Sequence, residues 1–192
     1  EETGENLMHG MGELHLEVIE NRIRTEKGLD VKTSQPLVVY RETVLKKSDE
    51  VEGKSPNKHN KFYVTVEPID PKIYDAIKSG DISEGRLKKK EQTLYESLEK
   101  IGIPVKEGKK IRNIFKGNLL IDDTRGEVHI GEVIEMVIDG FEQVIKEGPL
   151  AREPCVKLAV RLTDTKLHED AIHRGPAQVL PAVRQAIKLA MI

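Results

Sequence analysis

The sequence predicts an α+β fold, with helices packed on one face of a sheet, and three observations carry that prediction. Apolar residues alternate with polar ones at Phe62, Val64 and Val66, and again at Leu158, Val160 and Leu162, which is the period of half-buried strands. A helical period runs through Val133, Ile134, Val137, Ile138, Phe141, Val144 and Ile145, and through Val179, Leu180, Val183, Ile187 and Met191. From about residue 39 onward the two kinds of segment mix without the strict strand–helix alternation of a parallel sheet.

Taken in order, residues 12–27 read as a helix, with Met11, Leu14, Val18, Ile19 and Ile23 along one face and Gly28 as its C-cap. Residues 29–33 and 37–45 read as strand segments separated by Gln35-Pro36. Residues 46–61 are polar, with Gly53 and Pro56, and read as a loop at a hairpin end that leads into a strand over 61–67. Asp70-Pro71 pairs an N-cap with proline at the first helical position, and the helix it opens stops at Gly80. Leu87, Leu94, Leu98 and Ile101 mark a further helix ended by Gly102, after which residues 106–116 read as a basic connector. A short strand at 119–121 precedes the helix over 131–146, which Gly148-Pro149 stops. The strand over 158–162 leads into a loop over 163–177 and a closing helix, with Pro181 in its first turn.

The chain has 192 residues, 38% of them hydrophobic, and no apolar run approaches a membrane span. It does not begin with Met, and we read it as a fragment of a longer protein. The single cysteine, Cys155, excludes an internal disulfide framework and a multi-cysteine zinc site, and sets a reducing, cytoplasmic compartment as the default. A net charge of −2 excludes a globally basic nucleic-acid binder, yet the charge is segregated. Residues 1–20 hold six acids and no bases, residues 86–116 carry a local +6, residues 117–153 a local −6 and residues 154–192 a local +3. Such blocks give basic surfaces able to meet phosphate on a molecule that stays soluble.

Several fragments of motif fail on chemistry. Gly53-Lys54-Ser55 resembles the end of a phosphate loop, but Ser48 stands where its first glycine belongs and Pro56 blocks the helix that should follow. Gly10-Met11-Gly12 is a turn into a helix. His168 and His173 lie five residues apart, which on a helix sets them about 140° apart, too far to share a metal. In a loop they could do so, with Asp170 or Asp164 helping, and a stand-alone metal-dependent hydrolase using His168, His173 and Asp170 is the alternative reading. Cys155, just before a strand, reads as a buried structural thiol.

Two loops are more informative. Lys54, Ser55, Pro56, Asn57, Lys58, His59, Asn60 and Lys61 bring three lysines, a histidine and two asparagines without an acid. Lysines supply charge for phosphate, and Asn and Ser supply hydrogen bonds to sugars and base edges. The second loop, from Lys166 through His168, Asp170, His173 and Arg174 to Gly175, runs into a helix N-terminus, where an anion is favoured.

The segment from Leu167 to Gly175, LHEDAIHRG, closely resembles the diphthamide loop of the archaeal and eukaryotic elongation factor 2 family. Residues 55–60, SPNKHN, resemble a second tip loop of the same domain. Residues 10–17, GMGELHLE, with Tyr40-Arg41-Glu42-Thr43, resemble the end of the third domain and its junction with the fourth, and Lys146-Glu147-Gly148-Pro149 also matches. Pro176-Ala177 stands where the eukaryotic loop has glycines, which points to an archaeal member.

The resemblance implies that residues 1–38 are the last part of a ferredoxin-like third domain, a helix and a strand. It implies that residues 39–192 are an elongated fourth domain, with a ribosomal-protein-like βαβ fold on a mixed sheet. It further implies that this domain reaches the small-subunit decoding site of the ribosome, meeting tRNA and mRNA during translocation. His173 would be converted to diphthamide by the biosynthetic enzymes for that group, and would be the target of ADP-ribosylating toxins. Ser55, Pro56, Asn57, Lys58, His59, Asn60, Lys61, Lys166, His168, Arg174 and Gly175 would form the RNA-contacting tip. GTP and magnesium would belong to a GTP-binding domain outside these residues, leaving this piece without cofactor or catalysis. The truncated third-domain piece would offer an exposed edge and apolar face able to pair between copies.

Overall fold

The computed structural model of the chain describes residues 6–87, 92–124 and 129–192. It separates into two compact units, Glu1–Val39 and Tyr40–Ile192. The first holds helix α1 (Glu13–Lys27), closed by Gly28 at φ 63°, a left-handed turn that a residue without a β-carbon enters freely. No residue of α1 is buried, and Met11, Leu14 and Val18 of its expected apolar face are exposed. The expected strands at 29–33 and 37–45 do not form. A strand needs a hydrogen-bonded neighbour, and in these stretches only Glu42 has one, through an isolated parallel bridge to Cys155.

The second unit contains β1 (Val51–Lys54), β2 (Lys61–Pro68), α2 (Pro71–Ser79), β3 (Gly85–Arg86), α3 (Gln92–Lys100), α4 (Val105–Gly108), β4 (Ile111–Phe115), β5 (Asn118–Asp122), α5 (Ile130–Lys146), β6 (Leu158–Lys166), a 3-10 turn (Ala171–Arg174) and α6 (Pro176–Ala190). The strands form one mixed sheet in the order β1–β2–β6–β5–β4–β3. Strands β5 and β6 run parallel and α5 crosses between them, so β5–α5–β6 is a βαβ unit; the other pairs are antiparallel.

The α+β class stands, but helices cover both faces rather than one. Phe62, Val64, Val66, Leu158, Val160 and Leu162 pack against Val137, Phe141 and Val144 of α5 and Val179, Val183 and Ile187 of α6. On the other face Leu119, Ile121 and Ala159 meet Ile73 of α2 and Leu94 and Leu98 of α3. The reason lies in β5, where Leu119, Leu120 and Ile121 are consecutive and all buried, so alternation sends apolar side chains to both faces.

Other differences have similarly local causes. The presumed loop at 46–61 contains β1, a short edge strand whose Gly53 lets α6 approach. A β-carbon there would stand 2.1 Å from the Ala182 carbonyl oxygen. The basic connector contains α4 and β4. Of the helix expected from Leu87 to Ile101, residues 92–100 are helical and residues 88–91 lie outside the described residues. Helix α6 starts at Pro176, which places Pro181 inside the helix rather than in its first turn. Asp70 caps α2 as expected, accepting from the Lys72 amide at 2.8 Å.

The segregated charge blocks meet in space. Arg86 reaches Glu135 at 3.1 Å, Asp139 at 2.6 Å and Glu142 at 3.0 Å on α5. Lys110 pairs with Asp123 and Arg112 with Asp122, each at 2.8 Å. Arg161 lies between Glu67 and Asp123 at 3.3 and 3.2 Å. Arg86, Lys110 and Arg112 of the basic block are therefore neutralised by the acidic one.

Where the second unit begins, the Glu42 carboxylate is only 5% exposed. It accepts from the amides of Leu150 and Ala151 at 2.9 Å and of Glu153 at 3.1 Å. Gly148 leaves room for it, since a β-carbon there would stand 2.4 Å from the carboxyl carbon. Burial raises its pKa, but the three amides, helped by Lys188, outweigh that and hold it below its ordinary 4.5. Nearby, Cys155 is a buried thiol whose pKa is pushed up to about 12, chiefly by burial and secondly by Glu42, in keeping with a structural role.

Because Glu42 is more acidic folded than unfolded, its contribution is complete above its unfolded pKa and is lost as pH falls through the folded one. Urea unfolding of Glu42→Gln at neutral pH is expected to show a loss of about 2 kcal/mol. That loss should shrink as pH is lowered below about 4.5. A loss that stays constant with pH would refute the role given to the charge.

Candidate nucleic-acid interface

The two loops singled out in the sequence leave the same end of the sheet because β2 and β6 are antiparallel neighbours. Lys61 pairs with Lys166 and Phe62 with Thr165, so residues 55–60 enter β2 where residues 167–175 leave β6. The register shifts between Tyr63 and Val64, where Tyr63 faces Asp164 and Val64 faces Leu162, leaving Thr163 as a bulge. This changes the alternation of β6. Leu158, Val160 and Leu162 face the α5–α6 core, and beyond the bulge it is Thr165, not Asp164, that shares a face with Phe62. The broken alternation is why the sequence reads as loop from 163.

The loops are joined through Asn60, whose side chain is fully buried. Its Oδ1 accepts from the His168 amide at 3.0 Å, and its Nδ2 donates to the His173 carbonyl at 2.7 Å. The Asn60 amide donates to Ser55 Oγ at 2.9 Å, and the Ser55 amide donates back to the Asn60 carbonyl at 3.0 Å, closing the first loop. Asn57 donates its amide to Gln178 Oε1 on α6 at 2.9 Å. Asn57 Oδ1 accepts from the His59 amide at 3.1 Å.

Three residues expected to contact a partner are therefore turned inward. Ser55 is 2%, Asn60 0% and Arg174 5% exposed. Arg174 donates to the carbonyls of His168 and Glu169 and pairs with Glu132 on α5, so its charge is committed inside the fold. Glu132 is held below the usual carboxylate range by His129 first and Arg174 second. The reason is backbone demand. Loop carbonyls without a strand partner need donors, and a guanidinium supplies several in one plane.

What faces outward is a group of three imidazoles. The His59 ring centroid lies 4.9 Å from those of His168 and His173, and His168 lies 4.5 Å from His173, edge to face. His59 is exposed, and His168 and His173 are half-buried. His168 Nδ1 accepts from the Asp170 amide at 3.1 Å, and Asp170 Oδ1 accepts from the Ile172 amide at 3.1 Å. Asp170 thus shapes the turn. No group of three or more His, Cys, Asp or Glu among the described residues is arranged to hold a metal ion, so the hydrolase reading finds no ligand set.

The flanking lysines differ in what they offer. Glu52 takes Lys54 at 2.9 Å, Lys61 at 3.0 Å and the Tyr63 hydroxyl at 2.8 Å. These contacts, led by Lys54, lower its pKa to about 2, and the same carboxylate raises that of Tyr63 to about 12. Lys58 is exposed at φ 63°, and Lys166 is exposed with its ammonium 5.9 Å from the Tyr63 ring centre. Pro56 is exposed, Asn57 and Gly175 are half-buried, and Lys61 is held mainly by Glu52. Sequence reasoning missed Glu52, Glu132 and Gln178, since no local pattern betrays a contact across 121 positions such as Asn57 to Gln178. No described helix is long and apolar enough to cross a membrane.

Residues 80–192 match the family described as elongation factor G, domain IV, and residues 1–35 match elongation factor G, domain III. Among curated relatives, the elongation factor 2 of Methanococcoides methylutens is 52% identical, and those of Methanosarcina barkeri and Thermococcus kodakarensis are each 53% identical. Each alignment covers all 192 residues of this chain and 26% of the relative, so the chain spans about a quarter of the length of the curated relatives it matches.

Replacing Asn60 separates bridging from bulk packing. In Asn60→Ala the half-buried His168 amide loses its acceptor and the His173 carbonyl keeps only the longer bond from Asn57 Nδ2 at 3.5 Å, and a cost of about 2 kcal/mol is expected. Amide exchange at His168 should accelerate. Asn60→Asp keeps the acceptor and should keep the His168 amide protected, while setting a carboxylate against the His173 carbonyl. Equal protection in both variants would show that Asn60 does not bridge the loops.

Proposed function

The chain belongs to the family of elongation factor G domain IV, preceded by the end of a domain III, and from this premise we propose that its paired loops are the RNA-facing tip of a translocation factor. The observation that carries the reading is the group of His59, His168 and His173, presented at one sheet end by two loops locked through Asn60. The partner is the decoding-site RNA of the small ribosomal subunit with its tRNA and mRNA. A surface that meets folded RNA reads backbone shape and exposed base edges rather than a duplex major groove.

In this proposal His173 is the residue converted to diphthamide by its biosynthetic enzymes, and the residue that ADP-ribosylating toxins attack. Its main chain is fixed by Asn60 and by the donation of its own amide to the Asp170 carbonyl at 3.1 Å, leaving the ring free to carry a substituent. Lys58 and Lys166 supply the charge for phosphate, and His59, His168, Pro56 and Asn57 the surrounding surface. Ser55, Asn60 and Arg174 act by holding the loops. The action is steric and electrostatic: a wedge that favours the moved tRNA–mRNA state. GTP and magnesium are bound by another domain of a cytoplasmic factor, and these residues perform no catalysis of their own.

Mass analysis of the full-length factor from a host that has the modifying enzymes should show an added group confined to the peptide bearing His173. His173→Ala should abolish it while changing stability by no more than about 0.5 kcal/mol. Modification mapped to His59 or His168 would overturn the assignment. Separately, Lys58→Glu with Lys166→Glu should weaken binding of the factor to small ribosomal subunits most at low salt, because exposed charges are screened as salt rises. An unchanged salt dependence would exclude these lysines from the interface.

A further inference from the structure

The far end of the same sheet carries a second group of cations that the tip does not use. Strand β6 begins there at Leu158 and reaches the tip at Lys166, roughly 26 Å away at the usual rise of a strand. The β4–β5 turn brings Phe115 and Lys116, the end of α5 brings Lys146, and the approach to β6 brings Lys157. Lys116 and Lys146 hold their ammonium groups 5.7 and 5.4 Å from the centre of the one Phe115 ring. Lys157 stands 5.0 Å from the centre of the Tyr74 ring. All three lysines are exposed, and among the described residues none of them has a carboxylate partner. The nearby Glu84 accepts from the Gly117 amide at 2.7 Å.

The backbone is arranged to display them. Lys116 and Lys157 lie in the left-handed region at φ 50° and 60°, which residues with a β-carbon enter at a cost. The described non-glycine residues in that region are Lys58, Lys116, Arg152 and Lys157, and every one of them is a base. A fully buried asparagine again ties the pieces together. Asn118 Nδ2 donates to the carbonyls of Lys116 at 2.8 Å and Cys155 at 3.1 Å, while its Oδ1 accepts from the Leu158 amide at 2.9 Å. The two lysine-bearing turns are thus held by one side chain, as the two tip loops are held by Asn60.

We infer that Lys116, Lys146 and Lys157, set on the Phe115 and Tyr74 rings at the base of the domain, form a second RNA-binding surface that takes phosphate backbone. Lysines act on phosphate as point charges, and ring contact shortens the reach over which each ammonium wanders. The choice of RNA over another polyanion rests on the reading of the tip as RNA-facing; the surface itself does not.

The test uses the 192-residue chain and a short RNA hairpin, with affinity followed by fluorescence anisotropy between about 50 and 200 mM salt. Lys116→Gln, Lys146→Gln and Lys157→Gln together should lower the slope of log affinity against log salt by about 2 to 3, at roughly 0.7–0.9 per phosphate contact. A parallel variant, Lys58→Gln with Lys166→Gln, reports on the tip alone. If only the base variant lowers the slope, the second surface stands even though the tip reading fails. If only the tip variant does, the inference is overturned. Tighter binding of polyglutamate than of the hairpin would assign the surface to an acidic protein and likewise overturn it. In the unsubstituted chain, RNA should shift the amide resonances of residues 116, 146 and 157, and their failure to move would also count against it.

Discussion

The carboxamide of Asn60, seconded by the longer bond from Asn57 Nδ2 to the His173 carbonyl at 3.5 Å, makes the paired loops one object. Two loops that meet only across a strand pair would each sample many conformations, and their backbone amides and carbonyls would be left to water. Asn60 places an acceptor on the His168 amide and a donor on the His173 carbonyl from a position with no solvent exposure. In that low-dielectric setting each bond is stronger than at the surface, and each unmade bond more costly. Arg174 completes the arrangement from beneath, joining the carbonyls of His168 and Glu169 to Glu132 on α5. The outcome is a preset surface, which on the proposed function would leave a partner little ordering to impose, and ordering is a main cost of binding.

The charge pattern has to be read through the fold. Along the chain, residues 86–116 and 117–153 look like a basic and an acidic lobe. In space Arg86 faces three acids of α5, Arg112 faces Asp122, and Lys110 and Arg161 share Asp123. Adjacent sheet positions and facing helix flanks bring the opposite signs together, which offsets the self-repulsion each block would suffer alone. The charges left over therefore matter more than the totals. Around Phe115 and Tyr74, and beside the histidines, Lys116, Lys157 and Lys58 project from left-handed backbone that only a tightly determined turn would hold.

How much of this was legible from sequence follows from the range of each signal. The helices α1, α2, α5 and α6 and the strand β2 follow from periodicity and caps, which are local. The two loops and the family resemblance follow from residue identity. Strand β1 was missed because four residues containing a glycine carry no alternation, and that glycine exists to admit α6. Strand β4 was missed because Arg112 and Asn113 interrupt an apolar run, each for a partner distant in sequence: Asp122 and Glu142. The end of β6 was missed because the bulge at Thr163 inverts the alternation that reveals a strand. The inward turn of Ser55, Asn60 and Arg174 was invisible for the same reason, since polar residues in a loop look alike whether they face water or another loop.

The bulge connects these misreadings to function. Were β6 to keep its register beyond Leu162, Asp164 would continue the buried series and Lys166 would follow it toward the α5–α6 core, while Thr165 would point away. Desolvating an unpaired carboxylate and a lysine there would cost far more than the local loss of one ladder bond. By absorbing one residue at Thr163, the strand keeps Phe62 and Thr165 inward and hands Lys61 and Lys166 to the outer face beside Glu52 and Tyr63. It also sets where residue 167 leaves the sheet, and hence whether the His168 amide reaches Asn60. The irregularity that hides the strand from sequence analysis is the same one that aims the second loop at the first.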